Sequence, residues 1–155
     1  MDDGGTILAA NLTESEVPDA AFAPDLIEAV GGDIHRITAD GAYDRFEVYE
    51  AASRVSAKVV IPPRKDAVLS RNPVLAERNA HIEHRKRVGK RQWRVDTGHH
   101  QQARAENTFH RYKRTFGRGL RARTEDGQLV EVLTGCRILN RMLELGTPES
   151  IAIRD

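Results

Sequence analysis

The stretch HRITADGAYDRFEVYEAASRVSAKVVIPP, residues 35–63, decides how this chain folds. His35–Ala39 is a short run that ends on Asp40-Gly41, a turn pair, and reads as a strand. Asp44–Val55 then carries Phe46, Tyr49, Ala52 and Val55 at helical spacing, with Asp44 as the natural N-cap. Ser56-Ala57 leads to Lys58–Ile61, an apolar run closed by Pro62-Pro63, which reads as another strand. Strand, helix and strand in this order predict an α/β fold.

Working outward adds elements on both sides. Upstream, Thr6–Leu12 alternates weakly after Asp3-Gly4-Gly5 and is expected as a further strand, making three. A short helix over Pro24–Val30 is stopped by Gly31-Gly32. Downstream, Pro73 opens a helix to about Val88, ended by Gly89, with a basic run at His84-Arg85-Lys86-Arg87. His99–Phe116 is helical with Gly117 as its stop. Glu125–Leu145 is a last helix whose broad apolar face holds Leu129, Val132, Leu133, Cys136, Leu139, Leu143 and Leu145.

At 155 residues the chain fits one domain, 1–155. No apolar run approaches the ~18–20 residues that span a bilayer, and Met1–Gly5 has neither part of a signal peptide. A single cysteine, Cys136, excludes an internal disulfide and a Cys-based zinc site. A cytoplasmic location without a membrane partner is the expectation. Charge is split: residues 1–50 hold 2 basic and 12 acidic side chains, and residues 77–123 hold 14 basic and 4 acidic. The basic half calls for an anionic partner, nucleic acid first, or else for a solvated face that pairs with the acidic half.

Asp40 follows a strand and precedes a glycine, and in open α/β sheets ligands bind beyond the carboxyl ends of strands. An ordinary Asp-Gly turn is the plain alternative. His99, Gln102, Glu106 and Lys113 fall within about 60° of one another on a helix at ~100° per residue. Such a stripe could set a carboxylate for a divalent cation two turns from an ammonium for a phosphate. It could equally be a solvated helix face. The pairs His81/His84 and His99-His100 follow no standard zinc spacing. Trp93 reads as an anchor against the core.

Several segments then line up in one order: Ile37–Asp44, Val59–Lys65, Thr97–Asn107, Arg111-Tyr112-Lys113, Phe116-Gly117, Leu120–Arg123, Leu139–Met142 and Leu145–Pro148. Together they resemble the catalytic domain of bacterial insertion-sequence DDE transposases, from about Ile7 to Ile153. The resemblance implies an RNase H-like fold, with a strand–helix core at 6–63 bearing the family's second Asp. A basic helical insertion at 73–95 follows, then the Glu-bearing and closing helices at 98–146. It implies Mg²⁺-dependent DNA cleavage and strand transfer in transposition, with two ions supporting the reaction. Asp40 and Glu106 would be the catalytic, metal-ligating carboxylates. Lys113, His99, Gln102, Arg104 and Arg111 would contact DNA phosphate.

His99 stands where the family has Tyr, and Gln102 where an Arg often stands; a Gln cannot replace an Arg fork. The family's first Asp has no counterpart, since Asp2 and Asp3 sit in what reads as a turn. The expectation is therefore weak metal binding and negligible cleavage by this chain alone. The implied partners are the insertion-sequence ends and target DNA, with a homo-oligomer or a complementing N-terminal fragment. The alternative is a non-catalytic DNA-binding remnant that interferes with intact transposase.

Overall fold

In the computed structural model of the chain the described residues are 1–13, 17–117 and 119–146, with the backbone alone at Gln101 and Arg104. The chain divides into two compact units. Thr13–Arg104 form the core unit; Met1–Leu12 and Ala105–Asp155 form the helical unit.

In the core unit a 3-10 turn leads into α1 (Ala23–Val30), which carries Pro24 in its first turn, where the missing N–H has no helical partner to lose. Gly31 ends it at φ 59°, ψ 170°, a conformation that glycine adopts without strain. Then come β1 (Arg36–Thr38), α2 (Phe46–Arg54) and β2 (Lys58–Val60). The strands pair in parallel with Ile37 opposite Val59, and α2 is the crossover that a parallel pair requires. Val48, Tyr49 and Ala52 of α2 pack with Ala23, Ala57, Val59 and Ile61 as the core. Phe46, expected on the same face, is exposed.

The ladder leaves the N–H and C=O of Val59 pointing away from β1. Lys58 N donates to His35 O at 3.0 Å and Ala39 N to Val60 O at 3.4 Å, so the residues on either side of Val59 face β1. Side chains of α3 (Ala76–Asp96) serve both Val59 groups. Val59 N donates to Glu77 Oε2 at 2.7 Å, and His81 Nε2 lies 2.8 Å from Val59 O. A helix thereby closes a sheet edge otherwise free to pair with another chain.

Gly89 interrupts α3 at φ 80°, ψ 166° and divides it into two helical segments. His84 Nε2 meets Asp96 Oδ2 at 2.8 Å, and Trp93 Nε1 donates to His81 Nδ1 at 3.3 Å. Residues twelve apart on a straight helix stand about 18 Å apart, so both contacts depend on the bend. Gly89 ends the first segment as expected, but a second helical segment follows it.

Among the described residues there are two strands, not three. Thr6–Leu12 forms no strand and belongs to the helical unit. There Ile7 N donates to Asn140 Oδ1 at 2.8 Å and Asn140 Nδ2 donates to Ile7 O at 2.9 Å. One side-chain amide does for Ile7 what a neighbouring strand would do. The unit otherwise consists of the greater part of α4 (Ala103–Phe116) and all of α5 (Glu125–Glu144), whose N-cap Thr124 accepts from Gly127 N. Tyr112 packs on Gly135, where a Cβ would fall 2.5 Å from a ring carbon.

Leu139 is buried, while Leu133 and Leu145, expected on its face, are exposed. Each is six residues from Leu139, about 120° around the helix, and so lies off the packed side. Burial pushes the Cys136 thiol up from its ordinary value. Among the described residues no helix is long and apolar enough to cross a membrane.

Candidate active site

Asp40 directly follows Ala39 at the carboxyl end of β1, and its side chain is exposed. Its Oδ1 accepts from Ala42 N at 2.8 Å and caps a 3-10 turn over Gly41–Tyr43, so the turn reading of Asp-Gly is realised. The other carboxylate oxygen has no hydrogen bond among the described residues. Gly41 packs on the exit of β2: a Cβ there would come 3.2 Å from Pro62 O.

The segment 97–102 is held against this strand end. Arg36 Nη2 donates to Thr97 O at 2.6 Å, and its guanidinium lies where a Cβ on Gly98 would fall, 3.1 Å from Nη2. His99 and Gln102 come next, in a 3-10 turn (His99–Gln102), so they do not continue the helix of Glu106 and Lys113. The four-residue stripe expected from helical spacing is thus broken, because a 3-10 turn advances three residues per turn and not 3.6.

His99 is buried, with its ring tilted against Trp93 at 5.3 Å and Nε2 3.0 Å from Ala39 O. Burial pushes its pKa down, against the opposing pull of the Ala39 carbonyl. The Gln102 amide takes the orientation that its neighbours require. Its oxygen then accepts from Asp40 N at 2.9 Å, and its nitrogen donates to Ala39 O at 3.1 Å and to His99 Nε2 at 2.7 Å. Nε2 accepts from that amide in one tautomer and donates to Ala39 O in the other.

Asp44 does not cap α2; Arg45 holds that position without a side-chain cap. The buried Asp44 carboxylate is drawn away by stronger donors. Arg78 Nε reaches Oδ1 at 2.7 Å and Nη2 reaches Oδ2 at 3.3 Å, while Tyr49 Oη and Arg64 N also donate to it. Burial, then the nearby Asp44 charge, push the Tyr49 hydroxyl far up from its ordinary value. Arg78 also donates to Val68 O, and Arg85 to Pro63 O, so α3 gathers the loop that leaves β2. Sequence spacing gave no sign of this network, because Arg78 lies 34 positions from its partner. Trp93 is fully buried, as the sequence reading has it.

Glu106 lies in the helical unit, exposed on α4, with Lys113 two turns later on the same helix. Lys113 Nζ stands 5.7 Å from the centre of the Phe109 ring. Arg111 is half-buried; the Arg104 side chain lies outside the described residues. Lys86, Arg87, Lys90, Arg91 and Arg94 of α3 are exposed and form no ion pair among the described residues. That counts against a basic half neutralised by the acidic half.

No group of three or more His, Cys, Asp and Glu gathers as a metal site among the described residues. The donor chemistry at Asp40 nevertheless suits Mg²⁺, which takes oxygen ligands and keeps several waters on one or two carboxylates. A lone exposed carboxylate with one oxygen unengaged can hold such a hydrated ion weakly.

A family model described as the transposase DDE domain matches residues 1–141. No solved structure matches the chain.

Proposed function

The chain belongs to the transposase DDE domain family, and from that membership we propose that it is an insertion-sequence transposase chain for Mg²⁺-dependent DNA cleavage and strand transfer. The family match over most of the chain carries this reading. An RNase H-like catalytic domain is part of the proposal, and the parallel β1–α2–β2 unit is compatible with it.

Asp40 and Glu106 are the proposed metal-ligating carboxylates, with Arg104, Arg111 and Lys113 as contacts to DNA phosphate. When bound, Mg²⁺ would supply charge stabilisation for phosphoryl transfer and an activated oxygen nucleophile. The chain's own contribution is to hold the Asp40 carboxylate at a strand end and to offer cations to the DNA backbone. With only two proposed carboxylates to support two mutually repelling divalent charges, cleavage by this chain alone is expected to be negligible.

The test is nicking and joining of element-end DNA with Mg²⁺, with and without an added N-terminal segment that carries a further Asp. Joining that appears with the segment and is lost in Asp40→Ala and Glu106→Ala supports the proposal. Failure to join in every combination favours the second reading, a non-catalytic DNA-binding module. The five exposed cations of α3 that form no ion pair among the described residues are the observation behind that reading. Affinity for DNA should fall steeply with salt under both.

A further inference from the structure

We infer that His99 and Gln102 are positioning residues for Asp40 and do not contact DNA phosphate. The inference rests on the reading of Asp40 as a metal-ligating carboxylate. Both residues direct hydrogen-bonding groups at the end of β1. The Gln102 amide oxygen accepts from the N–H of Asp40 itself, and the amide nitrogen is taken by Ala39 O and His99 Nε2. His99 is only 5% exposed, with Nε2 3.0 Å from Ala39 O. A phosphate contact needs a donor facing solvent, whereas the Gln102 amide is turned to the strand end and His99 is buried.

The strand end needs such support. β1 has three residues, and the last ladder bond before Asp40, Ala39 N to Val60 O, is long at 3.4 Å. Beyond it the chain enters the turn capped by Asp40. The support continues inward through rings. His99 lies against Trp93, Trp93 Nε1 donates to His81, and His81 holds Val59 O of the neighbouring strand. His81 thus holds a carbonyl of β2 and His99 lies 3.0 Å from Ala39 O just past β1, with one fully buried tryptophan between them. Outer partners of this kind orient a ligand, and their loss typically weakens metal binding by about 10- to 100-fold.

The experiment uses the full chain, Mn²⁺ alone as the metal probe, and a DNA duplex. Three quantities are read: paramagnetic broadening of the Asp40–Ala42 amide signals by Mn²⁺, hydrogen exchange at the Asp40 amide, and duplex affinity. Gln102→Leu is expected to speed exchange at Asp40 and to weaken Mn²⁺ binding there by about 10-fold or more. Duplex affinity should stay within about two-fold, whereas a lost phosphate contact would lower it. His99→Asn serves as the second variant, and should Gln102→Leu fail to fold it is read in the same way.

A loss of duplex affinity with Asp40 exchange and Mn²⁺ binding unchanged overturns the inference. If Mn²⁺ leaves even the wild-type amides sharp, the metal reading of Asp40 fails by itself. Exchange at Asp40 then decides the positioning role alone: faster exchange in Gln102→Leu supports it, and unchanged exchange overturns it.

Discussion

Arg78 grips Asp44 with two nitrogens on two oxygens, Nε on Oδ1 at 2.7 Å and Nη2 on Oδ2 at 3.3 Å, across 34 residues of chain. The Asp44 side chain has no exposed surface and that of Arg78 is 15% exposed. Removing either partner leaves a charge in the interior, which costs about 3–5 kcal/mol. Arg78→Met and Asp44→Ala should each lower the stability of the core unit by that order in urea unfolding at neutral pH. Arg78→Lys should recover little, because an ammonium cannot reproduce the fork.

Gly89 sits at φ 80°, ψ 166°, a region that only glycine occupies without a cost of about 1–3 kcal/mol. Space is not the obstacle, since nothing lies within 4 Å of a Cβ built there. Gly89→Ala is therefore expected to straighten α3 and draw Trp93 from its seat beside His81 and His99. Trp93 is the only tryptophan, so its emission should shift to longer wavelength. Unchanged emission would contradict this account.

The bend is expected to depend on pH through Asp96. A hydrogen bond from Gln92, and then His84, hold the Asp96 carboxyl below its ordinary value. A carboxyl with a depressed folded pKa adds stability above its unfolded pKa and loses it as pH falls through the folded one. Asp96→Asn should thus lower the thermal midpoint at neutral pH, by an amount that shrinks toward zero as the solution is acidified below the carboxylate range. A difference that stays constant with pH would show that the charge of Asp96 is not involved.

Gly135 inverts a helix rule. Alanine in place of glycine within a helix ordinarily gains about 1 kcal/mol. Here the new Cβ would meet the Tyr112 ring at 2.5 Å, and overpacking of this kind costs about 1–3 kcal/mol. Gly135→Ala should destabilise the helical unit, and Gly135→Ala in a Tyr112→Ala background should not. A double-mutant cycle by thermal unfolding gives the sign.

The sequence made the β1–α2–β2 unit legible because 35–63 switches period from two to 3.6 and back between strong breakers. It misled wherever a distant side chain outbid a local rule. Asp44 stood at a fitting cap position, yet Arg78 and the Arg64 N–H claim its carboxylate. Thr6–Leu12 had a weak alternation, but no strand forms and Asn140 serves Ile7 instead. The stripe through His99 and Gln102 assumed one helical period across a 3-10 turn. Asp40 and Glu106 are proposed from motif order alone, whereas the contacts around Asp40 could not be read there, because they come from about 60 residues away.

The clamp between Ile7 and Asn140 joins residues separated by 133 positions. During synthesis Ile7 emerges before the core unit, and Asn140 becomes available to it only once α5 has left the ribosome. Everything that the core unit needs, residues 13–104, has been translated by then. The core can therefore settle while the helical unit is still an unclosed loop, whose two ends must find each other last. With the core already settled, only the flanking segments remain free, and the entropic cost of closing them grows only with the logarithm of their length.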